Sequence, residues 1–169
     1  SALAYLGLER GFVHVHEAIA DPAIRAVVER LMRREAAPMI AAAPGQDLDA
    51  YADALLDRFG NAALNHRLEQ IAMDGSQKIP QRWLETLSAR DAAGLDSPSL
   101  MAALAAWLRH VRGDRRRVAD PLAGPLADAW RAHGSAGVVP ALFGTGRLMG
   151  DCWTPGPGQM ARLVTLLAG

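Results

Sequence analysis

The residue types best suited to chemistry are grouped at one turn of the sequence, around Lys78. Lys78 is the only lysine among the 169 residues, and the other seventeen basic side chains are arginines. An ammonium group is a compact charge on a flexible stem, whereas a guanidinium group is a rigid planar fork. A single lysine in an arginine-based chain therefore suggests a ligand-binding role, with an ordinary surface lysine in a loop as the alternative.

The sequence on either side of Lys78 predicts a corner between two helices. Apolar residues at helical spacing predict a helix over residues 62–72, and Gly75 is a suitable residue to end it. Ser76 is a candidate cap for a second helix that continues over residues 81–93. Lys78 would lie in the first turn of that helix, where the helix dipole is positive. A carboxylate or hydroxyl group of a ligand would offset this unfavourable placement of a cation.

Composition excludes several classes of partner. The 18 acidic and 18 basic residues balance, so no overall field attracts nucleic acid or a membrane surface. No apolar run approaches the roughly 20 residues that a transmembrane helix needs. Cys152 is the single cysteine, which excludes an internal disulfide framework and a cysteine-rich zinc site. The sequence therefore predicts a cytoplasmic protein with a small-molecule partner, and with neither a nucleic acid nor a membrane as partner.

The remaining sequence predicts an all-α domain of about seven to nine helices, because no useful length of chain alternates apolar and polar residues. Three cap-then-proline signals and one aspartate predict helix starts; they are Asp21-Pro22, Ser97-Pro98, Asp120-Pro121 and Asp47. Residues 137–158 are rich in glycine and proline and are predicted to be largely irregular. Residues 112–117 form a basic segment, interpreted as a solvated connection with a phosphate-binding patch as the alternative.

Three other groups of residues are weaker candidates for function. Residues 144–150 superficially resemble a dinucleotide-binding loop, but no strand precedes them, so a packed turn is favoured. His14, His16 and Glu17 contain metal-ligating side chains without a second cluster to complete a site. His66 would share a helical face with Gln70 at i and i+4. The four tryptophans are interpreted as core or interface residues: Trp83, Trp107, Trp130 and Trp153.

The segment Ala-Met-Asp-Gly-Ser-Gln-Lys-Ile-Pro-Gln-Arg, residues 72–82, resembles the C-terminal domain of the mannitol dehydrogenase family. Asp-Arg-Phe-Gly-Asn at residues 57–61, the opening Ser-Ala-Leu-Ala-Tyr-Leu-Gly and Val-His-Glu-Ala at residues 15–18 carry the same resemblance. These polyol-specific long-chain dehydrogenases include the fructuronate and tagaturonate reductases, and the lysine segment is most similar to this hexuronate reductase branch. The resemblance covers essentially the whole chain. It implies a single multi-helix domain of the 6-phosphogluconate dehydrogenase C-terminal-like type.

The resemblance also implies substrate-binding residues. The family's lysine in this motif lies at the substrate, which corresponds to Lys78, and the positions eight and five before it, Gln70 and Met73, would face the pocket. In the mannitol-oxidising branch those two positions are basic. Gln70 and Met73 therefore argue against mannitol itself as the substrate.

The family's catalytic lysine and its glycine-rich nucleotide-binding domain lie before the stretch that matches the opening of this chain. The resemblance thus implies that residues 1–169 are the substrate-side C-terminal domain of an NAD- or NADP-dependent polyol or hexuronate dehydrogenase. The partner would be an N-terminal nucleotide-binding domain absent from this chain, and the substrate a sugar acid or polyol. No catalytic, cofactor-binding or metal-binding residue is predicted here, and the chain alone is expected to be inactive.

Two further expectations concern the fold and the alternative function. The opening apolar stripe of Leu3, Tyr5 and Leu6 has no evident cover, so an exposed apolar patch facing the missing domain is expected. The alternative to an enzyme is a stand-alone helical interaction module that performs no chemistry.

Overall fold

The computed structural model describes residues 1–168, which fold as an all-helical protein in agreement with the predicted class. Within those residues, extended pairing is limited to one antiparallel bridge between His14 and Arg67. The helices form two compact units, Ser1–Ala72 and a second unit that begins at Met73. The unit boundary thus falls at the turn that carries Lys78, where the sequence predicts a continuous single domain.

The first unit contains five α-helices. They are α1 (Ala2–Glu9), α2 (Val15–Ala20), α3 (Pro22–Arg30), α4 (Leu48–Gly60) and α5 (Leu68–Ala72). A π-helical segment (Leu31–Ala36) and a 3-10 turn (Ala37–Met39) prolong α3, and a second 3-10 turn (Ala62–Leu64) follows α4. Helix α1 packs against α2, α3 and α5, and α2 also packs against α4.

Two aspartates begin helices as predicted. Asp21 Oδ1 accepts the backbone N–H groups of Ala23 and Ile24, with N–O distances of 2.9 and 3.0 Å. Asp47 does the same at the start of α4, where its Oδ1 accepts the backbone N–H groups of Asp49 and Ala50 at 2.9 and 3.0 Å. Each carboxylate satisfies N–H groups that have no partner within their own helix.

The predicted helix over residues 62–72 was correct only for Leu68–Ala72, which form α5, and Ala62–Leu64 form a 3-10 turn. Asn65 adopts a left-handed conformation with φ 46°, and the backbone nitrogen of Leu68 donates to the carbonyl of Val13 at 2.9 Å. The predicted helix is therefore interrupted at residues 65–67, and α5 begins only at Leu68. His66 precedes α5 and its carbonyl accepts the N–H of Val15 at 3.0 Å, so it does not share a helical face with Gln70.

The expected exposed stripe at the start of the chain was also wrong. Leu3 and Tyr5 are buried, with relative exposures of 6% and 1%, and Leu6 is half-buried. The Tyr5 hydroxyl donates to the carbonyl of Ala72 at 2.9 Å. Helices α2, α3 and α5 of the same unit bury this stripe. Their packing against α1 depends on contacts that are distant in the sequence.

Gly7 lets α1 approach its neighbours closely. A Cβ built at Gly7 would lie 2.7 Å from Leu68 Cδ1 and 2.8 Å from Ala18 Cβ. Both distances are shorter than real Cβ contacts allow, so either neighbour would have to move. The glycine is therefore required by packing and not by backbone conformation.

We expect Gly7→Ala to lower the free energy of unfolding by about 1–3 kcal/mol, the usual range for an overpacked core. Alanine is ordinarily the better helix former, by roughly 1 kcal/mol. A loss of stability in Gly7→Ala would therefore indicate overpacking, because helix propensity alone would raise the stability. Gly60→Ala is the matched control, since no atom lies within 4 Å of its Cβ position. Chemical denaturation of both variants checks this, and a Gly7→Ala protein as stable as the Gly60→Ala protein would contradict the packing account.

The stabilisation that the Asp21 cap gives to α3 depends on pH. The N–H of Ile24 and an ion pair with Arg10, whose Nη1 lies 2.7 Å from Asp21 Oδ2, lower the pKa of Asp21. A carboxyl group with a lowered pKa stabilises the fold above its ordinary value of 3.8, and this stabilisation is lost as the pH falls through the lower folded value.

Stability should therefore decrease on acidification below about pH 4. Asp21→Asn should make that decrease shallower, because asparagine still caps the helix but does not titrate. Thermal unfolding of the two proteins as a function of pH measures the difference. Identical acid slopes would show that Asp21 has the same pKa in the folded and unfolded chain.

The second unit contains the remaining α-helices. They are α6 (Gly75–Ile79), α7 (Glu85–Ala92), α8 (Pro98–Val111), α9 (Ala123–Leu142) and α10 (Pro157–Ala168). A π-helical segment (Pro80–Leu84) joins α6 to α7, so the chain stays helical from Gly75 to Ala92. Helix α8 packs against α9 and α10 and is buried along most of its length.

The tryptophans are core residues, as predicted. Their relative exposures are at most 6%; they are Trp83, Trp107, Trp130 and Trp153. Phe143 packs edge-on between two of them, with ring centroids 6.4 Å from Trp107 and 5.4 Å from Trp153. Helix α9 is interrupted at Gly134, where φ is 59°, and the helix then resumes and continues to Leu142. The expectation of irregular chain from residue 137 was therefore wrong for residues 137–142.

Candidate functional site

The turn that carries Lys78 reverses at Asp74, which has a left-handed backbone with φ 56° and ψ 37°. Gly75 is the first residue of α6 and Ser76 the second, so the predicted roles of Gly75 as a helix end and Ser76 as a cap were wrong. A left-handed conformation is unfavourable for a residue with a Cβ, although aspartate tolerates it better than most. The surrounding contacts must therefore hold this backbone in place.

Asp120 supplies those contacts from a distant part of the sequence. Its Oδ2 accepts the backbone N–H of Ser76 at 2.8 Å, and its Oδ1 accepts the Ser76 hydroxyl at 2.5 Å. Asp120 Oδ1 also accepts the N–H of Leu122 at 2.8 Å, and the neighbouring carbonyl of Ala119 accepts the N–H of Asp74 at 3.0 Å. The segment 119–120 thus fixes both sides of the reversal.

The sequence predicted a different role for Asp120, as the local cap of the helix that follows it. Helix α9 begins only at Ala123, and the carboxylate of Asp120 instead binds the first turn of α6, 44 residues earlier. The negative carboxylate offsets the positive end of that helix. A protein side chain therefore supplies the negative charge at this helix end that was expected from a ligand.

Pro80 shapes the helix on the other side of Lys78. Proline has no N–H and its ring conflicts with the carbonyl four residues earlier, which here belongs to Ser76. The helix widens into the π-helical segment at this point, a feature that is frequent at functional sites. Ile79 and Leu84 are fully buried at 0% exposure and anchor this helix in the second unit.

Lys78 lies in the first turn of the helix, as predicted, and its side chain folds back over the reversal. Its Nζ donates to the carbonyl of Met73 at 2.6 Å, and the side chain is half-buried. An ammonium group carries three donor protons, and this bond uses one of them. Two protons therefore remain for water or a ligand.

The other two predicted substrate-binding residues are on the surface. Met73 is 42% exposed and is joined to Lys78 through its carbonyl. Gln70 is exposed on α5 in the first unit. The structure thus brings Met73 and Lys78 together, while a pocket-facing role for Gln70 stays a prediction.

The histidine cluster near the start of the chain has a structural role. Glu17 Oε2 accepts the N–H groups of Val13 and His14 at 3.1 and 2.8 Å. Both bonds lower the pKa of Glu17, and the bond from His14 has the larger effect. The rings of His14 and His16 stack with centroids 5.5 Å apart. Among residues 1–168, no three histidine, cysteine, aspartate or glutamate side chains are grouped to hold a metal ion.

The glycine-rich segment at residues 144–150 is a turn, which is the interpretation the sequence favoured over a nucleotide loop. The backbone nitrogen of Arg147 donates to the carbonyl of Gly144 at 3.0 Å. The N–H of Gly146 donates to Asp151 Oδ1 at 2.6 Å, so this group is already bound to a carboxylate. The segment follows helix α9 and not a strand, and it does not fit the dinucleotide cofactor that the family resemblance implies.

A cavity of about 770 Å³ lies in the second unit beside Arg112, Trp130, Arg131 and Ser135. Arg112 pairs with Asp114 at 2.9 Å and its guanidinium lies 5.6 Å from the Trp130 ring centroid. Arg131 pairs with Asp128. Both arginines beside the cavity therefore have carboxylate partners, and Arg112 is the one that belongs to the basic segment. Neither Met73 nor Lys78 lines this cavity.

Comparison with known proteins places the chain in a family. The family described as the mannitol dehydrogenase C-terminal domain matches residues 1–139. The chain belongs to this family. Among curated relatives, D-mannonate oxidoreductase of Escherichia coli is 36% identical over 89% of this chain and 32% of its own length. Mannitol 2-dehydrogenase of Phaeosphaeria nodorum is 36% identical over 85% of this chain and 26% of its own.

Solved structures agree with this assignment to the mannitol dehydrogenase C-terminal domain family. The ternary complex of Pseudomonas fluorescens mannitol 2-dehydrogenase with NAD and D-mannitol matches 99% of this chain and 35% of the enzyme, with a TM-score of 0.87 and 28% identity. A substrate-free D-sorbitol dehydrogenase, at 20% identity and a TM-score of 0.80, shares the fold. The chain spans about a third or less of the length of these proteins. Among its described residues, no helix combines the length and apolar character needed to cross a membrane.

Proposed function

We propose that this chain is the helical substrate-side domain of an NAD-dependent oxidoreductase that interconverts a sugar acid, such as D-mannonate, and the corresponding keto-uronate. The family match and the named oxidoreductases among its relatives support this proposal. The observation that carries it is the ammonium group of Lys78, which is bound through one proton to the Met73 carbonyl, with its other two protons available.

The reaction divides into two parts. A hydride leaves the carbon that bears the hydroxyl group, the hydroxyl proton goes to a base, and the carbon–oxygen double bond forms. The nicotinamide accepts the hydride when it is bound. The glycine-rich segment at residues 144–150 does not fit a dinucleotide, and we assign the cofactor and the base to an N-terminal nucleotide-binding domain of the parent protein. The present domain would bind and orient the substrate.

The substrate class follows from the charges at the three predicted positions. Lys78 supplies one positive charge, while Gln70 and Met73 supply none. An ammonium group binds a carboxylate through opposite charges as well as a hydrogen bond, whereas a neutral hydroxyl group offers the ammonium only the hydrogen bond. We therefore favour a hexonate, with fructuronate or tagaturonate as the oxidised partner, over mannitol.

The cofactor and the compartment complete the proposal. NAD is the first cofactor to test because it is bound in the Pseudomonas fluorescens complex, and NADP is the alternative. We place the protein in the cytoplasm, where a reducing environment suits its single cysteine. Burial raises the pKa of the Cys152 thiol, which favours the protonated and less reactive form.

The proposal predicts that the full-length protein containing this chain reduces NAD in the presence of D-mannonate, and that residues 1–169 alone do not. Absorbance of the reduced nicotinamide measures both, with D-mannitol and D-sorbitol as comparison substrates. Turnover by the isolated chain would contradict the assignment of base and cofactor to another domain. A full-length protein inactive with every sugar acid and polyol would favour the helical interaction module.

Lys78→Ala in the full-length enzyme should decrease kcat/KM for D-mannonate about ten- to a hundred-and-fifty-fold, corresponding to roughly 1.5–3 kcal/mol for a hydrogen bond to a charged group. The effect should appear mainly in the KM for the sugar acid, with the KM for NAD nearly unchanged. Lys78→Arg should restore little, because the wider guanidinium group cannot occupy the place of a compact ammonium.

A structural role for Lys78 gives a different result. If the side chain serves only to satisfy the Met73 carbonyl, Lys78→Ala would lower the free energy of unfolding and leave steady-state kinetics intact. Measuring both quantities on the same variant separates the two roles. The loss should also be larger for D-mannonate than for D-mannitol, and equal losses would contradict recognition of a carboxylate.

A further inference from the structure

The carboxylate of Asp120 lies where it can control the position of Lys78. We propose that Asp120 is a positioning residue for substrate binding, acting on Lys78 through the first turn of α6. The inference rests on the proposed role of Lys78 at the substrate. Asp120 lies 42 positions after Lys78 in the sequence, so the proposed role is a long-range one.

The hydrogen bonds make a continuous path from Asp120 to the ammonium group. Asp120 binds the backbone nitrogen and the hydroxyl of Ser76, a residue only 5% exposed. The same first turn of the helix carries Lys78, whose backbone nitrogen donates to the carbonyl of Asp74 at 3.2 Å. The Lys78 side chain then closes the path by binding the carbonyl of Met73.

The geometry on both sides of the reversal depends on the same segment. Ala119 accepts the N–H of Asp74, and Asp120 accepts that of Ser76, so residues 119–120 hold Asp74 in its left-handed conformation. Met73 precedes that residue and Lys78 follows it. If the first turn of α6 loosens, the distance from Lys78 Nζ to the Met73 carbonyl is no longer fixed, and the ammonium loses its defined position.

An amide cannot replace the carboxylate. Both oxygens of Asp120 accept hydrogen bonds, and two of the three donors are the backbone N–H groups of Ser76 and Leu122. They bind different oxygens, and asparagine offers one oxygen and one NH₂ group. One backbone N–H would therefore face another donor. Asp120→Asn also removes the negative charge that offsets the helix dipole.

The test is a double-mutant cycle in the full-length enzyme with NAD and D-mannonate. We expect Asp120→Asn to raise the KM for D-mannonate about five- to thirtyfold, equivalent to roughly 1–2 kcal/mol, with the KM for NAD unchanged. Because Asp120 acts through Lys78, adding Asp120→Asn to Lys78→Ala should cost no more than about twofold beyond Lys78→Ala alone. If the two residues acted independently, the fold-increases in KM of the two single variants would multiply in the double variant.

Asp47→Asn is the matched control. Asp47 accepts two backbone N–H groups at the start of α4, in the first unit, and makes the same type of cap. Its substitution should change the KM for D-mannonate by less than about twofold, because asparagine caps helices nearly as well as aspartate. A comparable KM increase in Asp47→Asn would show that loss of any helix cap produces the effect, and would overturn the inference.

Ser76→Ala keeps the inference testable if Asp120→Asn does not fold. It removes the hydroxyl bond of 2.5 Å and leaves the backbone bond in place, so the KM should rise about two- to fivefold. An unchanged KM in either folded variant, with Lys78→Ala impaired, overturns the role of Asp120. Unchanged kinetics in Lys78→Ala itself would instead reject the proposed function, so the two failures are distinguishable.

Discussion

The carboxylate of Asp120 is the interaction on which the candidate site depends. It binds the first turn of α6 through two bonds to Ser76, while the adjacent carbonyl of Ala119 binds Asp74. These contacts stabilise a left-handed aspartate that would otherwise be unfavourable. The reversal at Asp74 in turn places the Met73 carbonyl within reach of the Lys78 ammonium group. A long-range contact therefore sets the geometry of a short motif.

Two consecutive carbonyls at the end of α5 are satisfied in contrasting ways. The Ala72 carbonyl accepts the buried hydroxyl of Tyr5, whose only hydrogen is used in that bond. The Met73 carbonyl accepts a half-buried ammonium group that retains two further donors. The first arrangement can only stabilise the fold. The second leaves positive charge and hydrogen-bonding capacity at the surface, which is what binding of a sugar acid requires.

The elements that local chemistry specifies were predictable. Asp21 and Asp47 cap helices next to them in sequence, and the buried tryptophans follow from residue size and apolarity. Errors arose where a distant contact decided the local structure. Leu68 pairs with Val13 and delays α5, and Asp120 caps a helix 44 residues earlier instead of the one that follows it. A single sequence carries no local signal for either pairing.

Pro80 shows an intermediate case. A proline is tolerated in the first turn of a helix, but α6 begins five residues before Pro80, at Gly75. The proline therefore lies inside the helix and produces the π-helical segment. The signal was present in the residue type, but its interpretation required the true helix start, which Asp74 and Asp120 determine.

A crystal structure of the full-length protein with NAD and D-mannonate would test the substrate-binding role of Lys78 most directly. That role predicts that Lys78 Nζ lies within about 3.2 Å of a substrate oxygen and keeps its bond to the Met73 carbonyl, with Asp120 still bound to Ser76. A complex in which the sugar acid binds elsewhere, with the Lys78 ammonium surrounded by solvent, would contradict it.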